Sequence, residues 1–152
     1  MKSESARIAD QHRRAYAGPA WSGPCVQEVL RGVDARRAWA RPLPRAHSIA
    51  EIVLHLAAWE HAVERRLAGE PREVSGAEDW PAPGPAGDAA WAEVLDRLET
   101  RHRALAAALE QLTDARLGAT VPGQQYSVHF MVHGEVQHLL YHAGQIALLA
   151  KA

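Results

Sequence analysis

The chain has 152 residues, of which 47% are hydrophobic and 23% are charged, and its formal net charge is -1 at pH 7. These values are typical of one globular domain, and they exclude the strong basic charge of a general nucleic-acid-binding protein. No stretch approaches the ~18 uninterrupted apolar residues of a membrane span, and the N-terminal residues show no apolar core of a signal peptide. The single cysteine, Cys25, excludes an internal disulfide. We therefore expect one cytoplasmic domain over residues 1–152, with neither nucleic acid nor a membrane as a partner.

Helical patterns dominate the chain, because alanine, leucine, glutamate and arginine are abundant and β-branched residues are few. A first helical segment over about 4–17 ends at Gly18 and Pro19, and a second segment restarts at Pro24. We interpret these two segments as one broken first helix.

Three further helices are separated by connections rich in proline and glycine. The second helix has Ser48 as its N-cap and Glu51 three residues later, which together form a capping-box pattern, and it stops at Gly69. The third is expected over about 89–112 with Asp88 as its N-cap, and the fourth from about 125 to the C-terminus. The sequence therefore predicts an all-α fold built from four long helices.

Two histidines, His138 and His142, interrupt the apolar run "GEVQHLLYHAGQIALLA" of the fourth helix. Their spacing of four residues places them one turn apart on one face, with about 6 Å between Cβ atoms. Both fall within the inward apolar stripe of the helix. That stripe comprises Val128, Met131, Val132, Leu139, Ile146 and Leu149. Two such imidazoles can bind one metal ion at ~2.0–2.1 Å, but two buried neutral histidines are an equally good interpretation of the spacing alone.

A third ligand would favour the metal interpretation, and the candidate is His55 on the second helix. It lies at the edge of the core face, beside Ile52 and Trp59, where a side chain can face either a neighbouring helix or water. With a rise of ~1.5 Å per residue, His55 is about 10 Å from the start of its helix, and the pair is about 15 Å from the end of the fourth. If the two helices are antiparallel, the three histidines come level.

Other polar residues near the pair have more than one interpretation. Glu135 lies in the inward stripe one turn before His138, where it can accept a hydrogen bond from behind a ligand, act as a general base, be a fourth ligand, or join a local ion pair. Tyr141 and Gln145 can orient ligands or substrate, although ordinary packing is the simpler interpretation. His102 is interpreted as a core histidine with a hydrogen-bond partner.

The remaining histidines and the cysteine are interpreted as structural. The histidines expected at the surface, at caps or at interfaces are His12, His47, His61, His129 and His133. Cys25 stands near a helix start, where its pKa can be lowered, but it lacks metal-ligand spacing with other residues. We therefore expect a small packed side chain.

Four segments of the chain resemble the DinB/YfiT-like superfamily of metal-binding four-helix bundles. They are "HSIAEIVLHLAAWE", "DWP" at 79–81, "AW" at 90–91 and, most specifically, "HLLYHAGQIALL". The resemblance implies a four-helix bundle with long crossover connections, often paired as a homodimer. It also implies that His55, His138 and His142 bind one divalent metal.

Three neutral imidazoles would leave at least one coordination position for water or substrate, as in catalytic metal sites. A metal there can lower the pKa of bound water to about 7, or hold a thiol as its thiolate. Imidazole ligands suit zinc, nickel, iron and copper. Among these we favour zinc or nickel, with iron and copper as alternatives.

Relatives in the superfamily that the chain resembles include thiol transferases and isomerases that use a low-molecular-weight thiol, and metal-dependent hydrolases. We therefore expect a metal-dependent enzyme whose substrates include a small-molecule thiol or electrophile, and which catalyses thiol transfer or hydrolysis. Glu135 is the candidate catalytic residue. The alternative is a stress-associated module that binds a metal or small ligand without turnover.

The fourth helix also has apolar residues beyond its inward stripe. Val136, Leu140 and Ala147 lie about 100° to 140° from the centre of the stripe, and Leu148 lies on the far side. A small bundle would leave part of this surface exposed. Either the helix is packed centrally or the chain forms a homodimer, and the resemblance favours the dimer.

Overall fold

The computed structural model describes residues 2–152, which contain seven helices and no strand. The helices are α1 (Glu4–Ala17), α2 (Val26–Leu30), α3 (Ala35–Trp39), α4 (Ile49–Leu67), α5 (Asp88–Glu110), α6 (Asp114–Leu117) and α7 (Val128–Leu149). The predicted all-α fold is confirmed. None of the described helices is long and apolar enough to cross a membrane.

The four long helices form a bundle in which α1 and α4 lie at opposite corners, each packed between α5 and α7. Helices α4 and α5 run in the same direction, because residues 49–57 pack with 91–98 in one cluster and 63–67 with 105–112 in another. Helix α4 has 19 residues and is about 28 Å long, so the connection 68–87 must run back along the bundle to start α5. This connection is the long crossover that the family resemblance implied.

The centre of the bundle is polar. One apolar cluster lies at each end, and between them each long helix contributes one buried polar side chain. These four residues are His12 on α1, Glu60 on α4, His102 on α5 and Glu135 on α7, and none is more than 6% exposed. The expected surface, cap or interface position of His12 is therefore wrong, whereas the core position of His102 is confirmed.

Helix caps account for most of the boundaries. The capping box of α4 is present, with the Ser48 N–H donating to Glu51 Oε2 at 2.7 Å and the Glu51 N–H donating to Ser48 Oγ at 3.3 Å. Helix α7 begins at Val128, later than predicted, because Ser127 caps it by accepting the N–H of Phe130.

Two boundary predictions are wrong. Asp88 is the first residue of α5 rather than its cap, because the extended Gly87 occupies the N-cap position. Helices α1 and α2 are separate helices and not one broken helix, since residues 18–25 separate them. Pro24 precedes the N-cap, Cys25, so it lies just outside α2. Helix α2 packs against α1 and α7 and covers one side of α7.

Candidate metal centre

Three histidines converge between α4 and α7. His55 Nε2 lies 2.9 Å from His138 Nε2, and the candidate ligand atoms of His55, His138 and His142 all lie within 4.8 Å of one another. Helices α4 and α7 are antiparallel here, which brings the three histidines level, as their axial positions required. Two nitrogens bound at ~2.0–2.1 Å to one tetrahedral ion would be about 3.3 Å apart, so only small shifts separate this arrangement from a coordination site.

The Nδ1 atoms of the three rings all face acceptors. His55 Nδ1 donates to the Asp79 carbonyl oxygen at 2.7 Å, and His142 Nδ1 donates to Gln145 Oε1 at 2.7 Å. His138 Nδ1 is buried and lies 3.6 Å from Glu135 Oε2, slightly beyond hydrogen-bond distance. Acceptors at Nδ1 fix the tautomer in which Nε2 is free to bind a metal. The donor set therefore fits a divalent transition metal.

The crossover connection closes one side of the centre. Trp80 stacks on the His55 ring with 3.9 Å between centroids, and it stacks on His47 at 3.5 Å. Trp59 Nε1 donates to Asp79 Oδ1 at 2.8 Å, which fixes the segment that holds His55. The sequence drew attention to "DWP" only through the family resemblance, because helical periodicity does not define the path of a connection.

Burial favours the neutral form of His55 and of His142. Burial, followed by repulsion from His138, lowers the pKa of His142 to about 4. Burial also lowers the pKa of His55, against the opposing effect of its hydrogen bond to Asp79. Neutral imidazoles at physiological pH are the form that binds metal.

The pH at which metal is released should reflect these pKa values. Protons compete with metal for imidazole, and His55 and His142 gain protons at lower pH than an ordinary histidine. We expect zinc-loaded protein to keep most of its metal at about pH 6 and to lose it as the pH falls toward about 4. Metal content after dialysis at each pH measures this. Complete release already at about pH 6.5 would contradict the assignment.

A second cluster of polar side chains occupies the bundle centre. His12 Nε2 lies 3.2 Å from both carboxylate oxygens of Glu60, and His102 Nδ1 lies 3.2 Å from Glu60 Oε1. Burial alone would lower the pKa of His12, but the charge of Glu60 and its hydrogen bond to His12 together outweigh burial and raise that pKa. Burial would likewise raise the pKa of Glu60, but His12 and His102 together lower it. The arrangement is a buried ion pair shared among three helices, and sequence reasoning missed it.

Two cavities lie beside the three histidines. The first has a volume of about 340 Å³ and the second about 450 Å³. The first is lined by His55, Trp59, Val63, Arg66, Asp79, Tyr126, Phe130, Met131, Gly134, Glu135 and His138. The second is lined by Leu43, Ala46, His47, Ile52, Trp80, Tyr141, His142, Gln145, Leu148 and Leu149. Small molecules can therefore approach the centre from two sides.

Cys25 lies away from this centre. It is fully buried at the start of α2, and burial raises the pKa of its thiol. A lowered pKa at this helix start is therefore wrong, and the expected small packed side chain is observed.

A comparison with protein families gives a match to the DinB superfamily over residues 21–146, which is more than half of the chain. No curated protein and no solved structure matches. The matched region contains all three histidines of the centre but not α1, so His12 lies outside it.

Proposed function

Since this chain belongs to the DinB superfamily, we propose that it binds one divalent transition metal through His55, His138 and His142 and is a metal-dependent enzyme. The observation that supports this most directly is the convergence of three oriented imidazoles at the walls of two cavities. When bound, a zinc or nickel ion with a free coordination position lowers the pKa of a thiol or of water.

The reaction that best suits two cavities is thiol transfer to an electrophile. His55 and His138 line the first cavity and His142 lines the second, so a thiol and an electrophile can be held on different sides. The thiol gives up its proton to the carboxylate of Glu135 at the wall of the first cavity, its sulfur forms a bond to the electrophilic carbon, and the leaving group departs with the electrons of its own bond. Hydrolysis needs only one organic substrate and is the second candidate.

Glu135 positions His138 and can also hold a proton. Its Oε2 faces Nδ1 of His138, on the side of the ring away from Nε2, which argues against a fourth ligand. Its Oε1 is buried without a hydrogen-bond partner among residues 2–152, and the residue lines the first cavity. Burial raises the pKa of this carboxyl, as a proton acceptor working near neutral pH requires.

The test is consumption of a thiol by zinc-loaded protein. Cysteine and glutathione would be supplied with 1-chloro-2,4-dinitrobenzene, which arylates the thiol sulfur and releases chloride, and the absorbance of the dinitrophenyl thioether follows the reaction. We expect turnover that disappears after chelation, and Glu135→Gln should lower turnover more than metal content. Hydrolysis of an ester without thiol consumption would favour the second candidate. If neither activity is detected, the protein is a binding module without turnover.

Cys25→Ser is the matched control for a nucleophile. Because Cys25 is buried and burial raises the pKa of its thiol, whereas a reactive thiol has a lowered pKa, we expect this variant to keep most of the activity. Loss of activity with metal content and folding intact would instead indicate a cysteine nucleophile.

We also propose that the chain forms a homodimer through the exposed end of α7. Val136 and Leu140 are partly covered, which supports central packing of the helix, but Tyr141 and Leu148 remain 65% and 71% exposed. Light scattering at micromolar concentration should give the dimer mass, and Leu148→Glu should shift it toward monomer. A monomer for the unmodified chain would remove this proposal.

A further inference from the structure

Arg66 is a buried cation at one end of the first cavity, and it is only 4% exposed. Its Nε and Nη2 donate to the Arg72 carbonyl oxygen at 2.9 and 2.6 Å, and its Nη1 donates to the Tyr126 hydroxyl at 3.1 Å. A guanidinium carries five N–H donors, so two have no acceptor among residues 2–152. No carboxylate of the described residues 2–152 lies at ion-pair distance from the Arg66 guanidinium.

Such a group is costly unless it gains an anion, because a buried charge needs a partner of opposite sign. The neighbouring Arg65 differs in this respect, since it lies on the outer face of α4 and pairs with Glu70. The two arginines are adjacent in the chain, yet only Arg66 borders the cavity.

The space between Arg66 and the histidines is short and mostly apolar. The Arg66 guanidinium carbon lies 5.5 Å from the Trp59 ring, and that ring lies 5.9 Å from the His138 ring. One indole therefore separates the guanidinium from the candidate metal ligands. Val63 and Met131 provide further apolar wall.

The acidic groups of the cavity lie at its other end. Asp79 and Glu135 both line it and both contact histidines of the centre. Without a metal, the negative charge of Asp79 would repel a carboxylate placed beside the histidines, whereas Arg66 would attract one. In the metal-free protein, a ligand with an acid group at one end therefore has one favourable orientation, with that group on Arg66.

We propose that this cavity binds a small aromatic or otherwise apolar carboxylate, with the carboxylate on Arg66 and the body along Trp59. The inference deepens the proposed function, because it places the far end of the ligand at the three histidines and so names the substrate class. The carboxylate contact itself depends only on Arg66.

The first experiment compares two probes of nearly equal shape. Calorimetric titration of the full chain with 3-phenylpropionate and with the neutral 3-phenylpropanamide measures how much the negative charge of the ligand contributes to its binding affinity. Since hydrogen bonds to charged groups are strong in buried sites, the carboxylate should bind roughly 10- to 100-fold more tightly. Equal affinities, or no binding of either compound at millimolar concentration, would overturn the proposal.

Variants then assign the preference to a residue. Arg66→Gln should remove the preference for the carboxylate, whereas Arg65→Gln removes a charge one residue away and should leave it intact. Because Arg66 also ties the crossover to α4, its variant needs a check of folding by circular dichroism. If that variant does not fold, Tyr126→Phe frees Nη1 and should keep or strengthen carboxylate binding; a lost preference there would count against Arg66.

Metal-free and zinc-loaded protein separate this inference from the proposed function. A preference for the carboxylate that survives chelation and depends on Arg66 supports the inference even if no metal-dependent activity is found. A carboxylate that binds only zinc-loaded protein, equally well with Arg66→Gln, is a metal ligand, which overturns the inference while leaving the metal site intact.

Discussion

Replacing His138 with alanine should lower the affinity for zinc by at least about 100-fold, because loss of a direct ligand should exceed the 10- to 100-fold cost of losing a group behind a ligand. The three candidate ligand atoms lie within 4.8 Å of one another, so removing one leaves two imidazoles and more water around the ion. Metal content after dialysis and competition with a coloured chelator measure the change.

His133→Ala is the matched control for this experiment. It removes an imidazole from the same helix, but His133 lies near Glu4, away from the centre. This variant should keep about one zinc per chain. If His55→Ala, His138→Ala and His142→Ala each retain full occupancy, the three histidines are not the metal site.

The sequence predicted parts of the centre that depend on one helix. His138 and His142 share a face because residues four apart on a helix always do, and the apolar stripe around them indicates which face is buried. The position of His55 was harder to predict, since a side chain at the edge of the core face can also be exposed to solvent. The direction of α4 relative to α7 decides its place, and that direction is a property of the whole bundle.

Asp79 and Trp80 could not be placed by periodicity. They belong to the crossover 68–87, and they reach His55 only because α4 and α5 are parallel, so the connection returns past the centre. A parallel pair of helices requires a long connection, but the connection's contacts depend on its own irregular path.

The polar centre of the bundle shows a different limit. Glu60 continues the spacing of Leu56 and Val63, and His12 continues that of Ile8, so both lie at core positions of their helices. Residue type alone suggests solvent exposure for a glutamate and does not decide the burial of a histidine. Each can be buried because the other is its charged partner across the diagonal of the bundle. The sequence of one helix alone does not reveal that partner.

Glu60→Gln should therefore destabilise the protein by about 3 kcal/mol or more, because removing one partner of a buried ion pair leaves the others without compensation. For a chain of this size, that loss should lower the melting temperature by roughly 10 °C. Urea unfolding and thermal melting measure the two quantities. Glu64→Gln is the matched control, since Glu64 is one turn further along α4 in partly exposed ion pairs and should cost less than about 1 kcal/mol.

The zinc content of Glu60→Gln protein distinguishes two roles for the polar cluster at the bundle centre, a metal site and a buried ion pair. His12, Glu60 and His102 lie close enough to hold an ion themselves. The two stacked imidazole rings, 4.6 Å apart, face a shared carboxylate and are better explained as an ion pair. Folded Glu60→Gln protein should thus keep about one zinc per chain. Loss of zinc from the folded variant would instead identify a metal site at the bundle centre.

The pH dependence of this destabilisation follows from the two pKa shifts. The raised pKa of His12 stabilises the fold fully below the ordinary value of 6.5, and this contribution is lost as the pH rises through the folded-state value. The lowered pKa of Glu60 stabilises the fold above the ordinary value of 4.5, and this contribution is lost as the pH falls through the folded-state value. The stability difference between the unmodified chain and Glu60→Gln should therefore be greatest between pH 4.5 and 6.5. A difference that is constant from acidic to basic pH would mean that packing, and not charge, accounts for the loss.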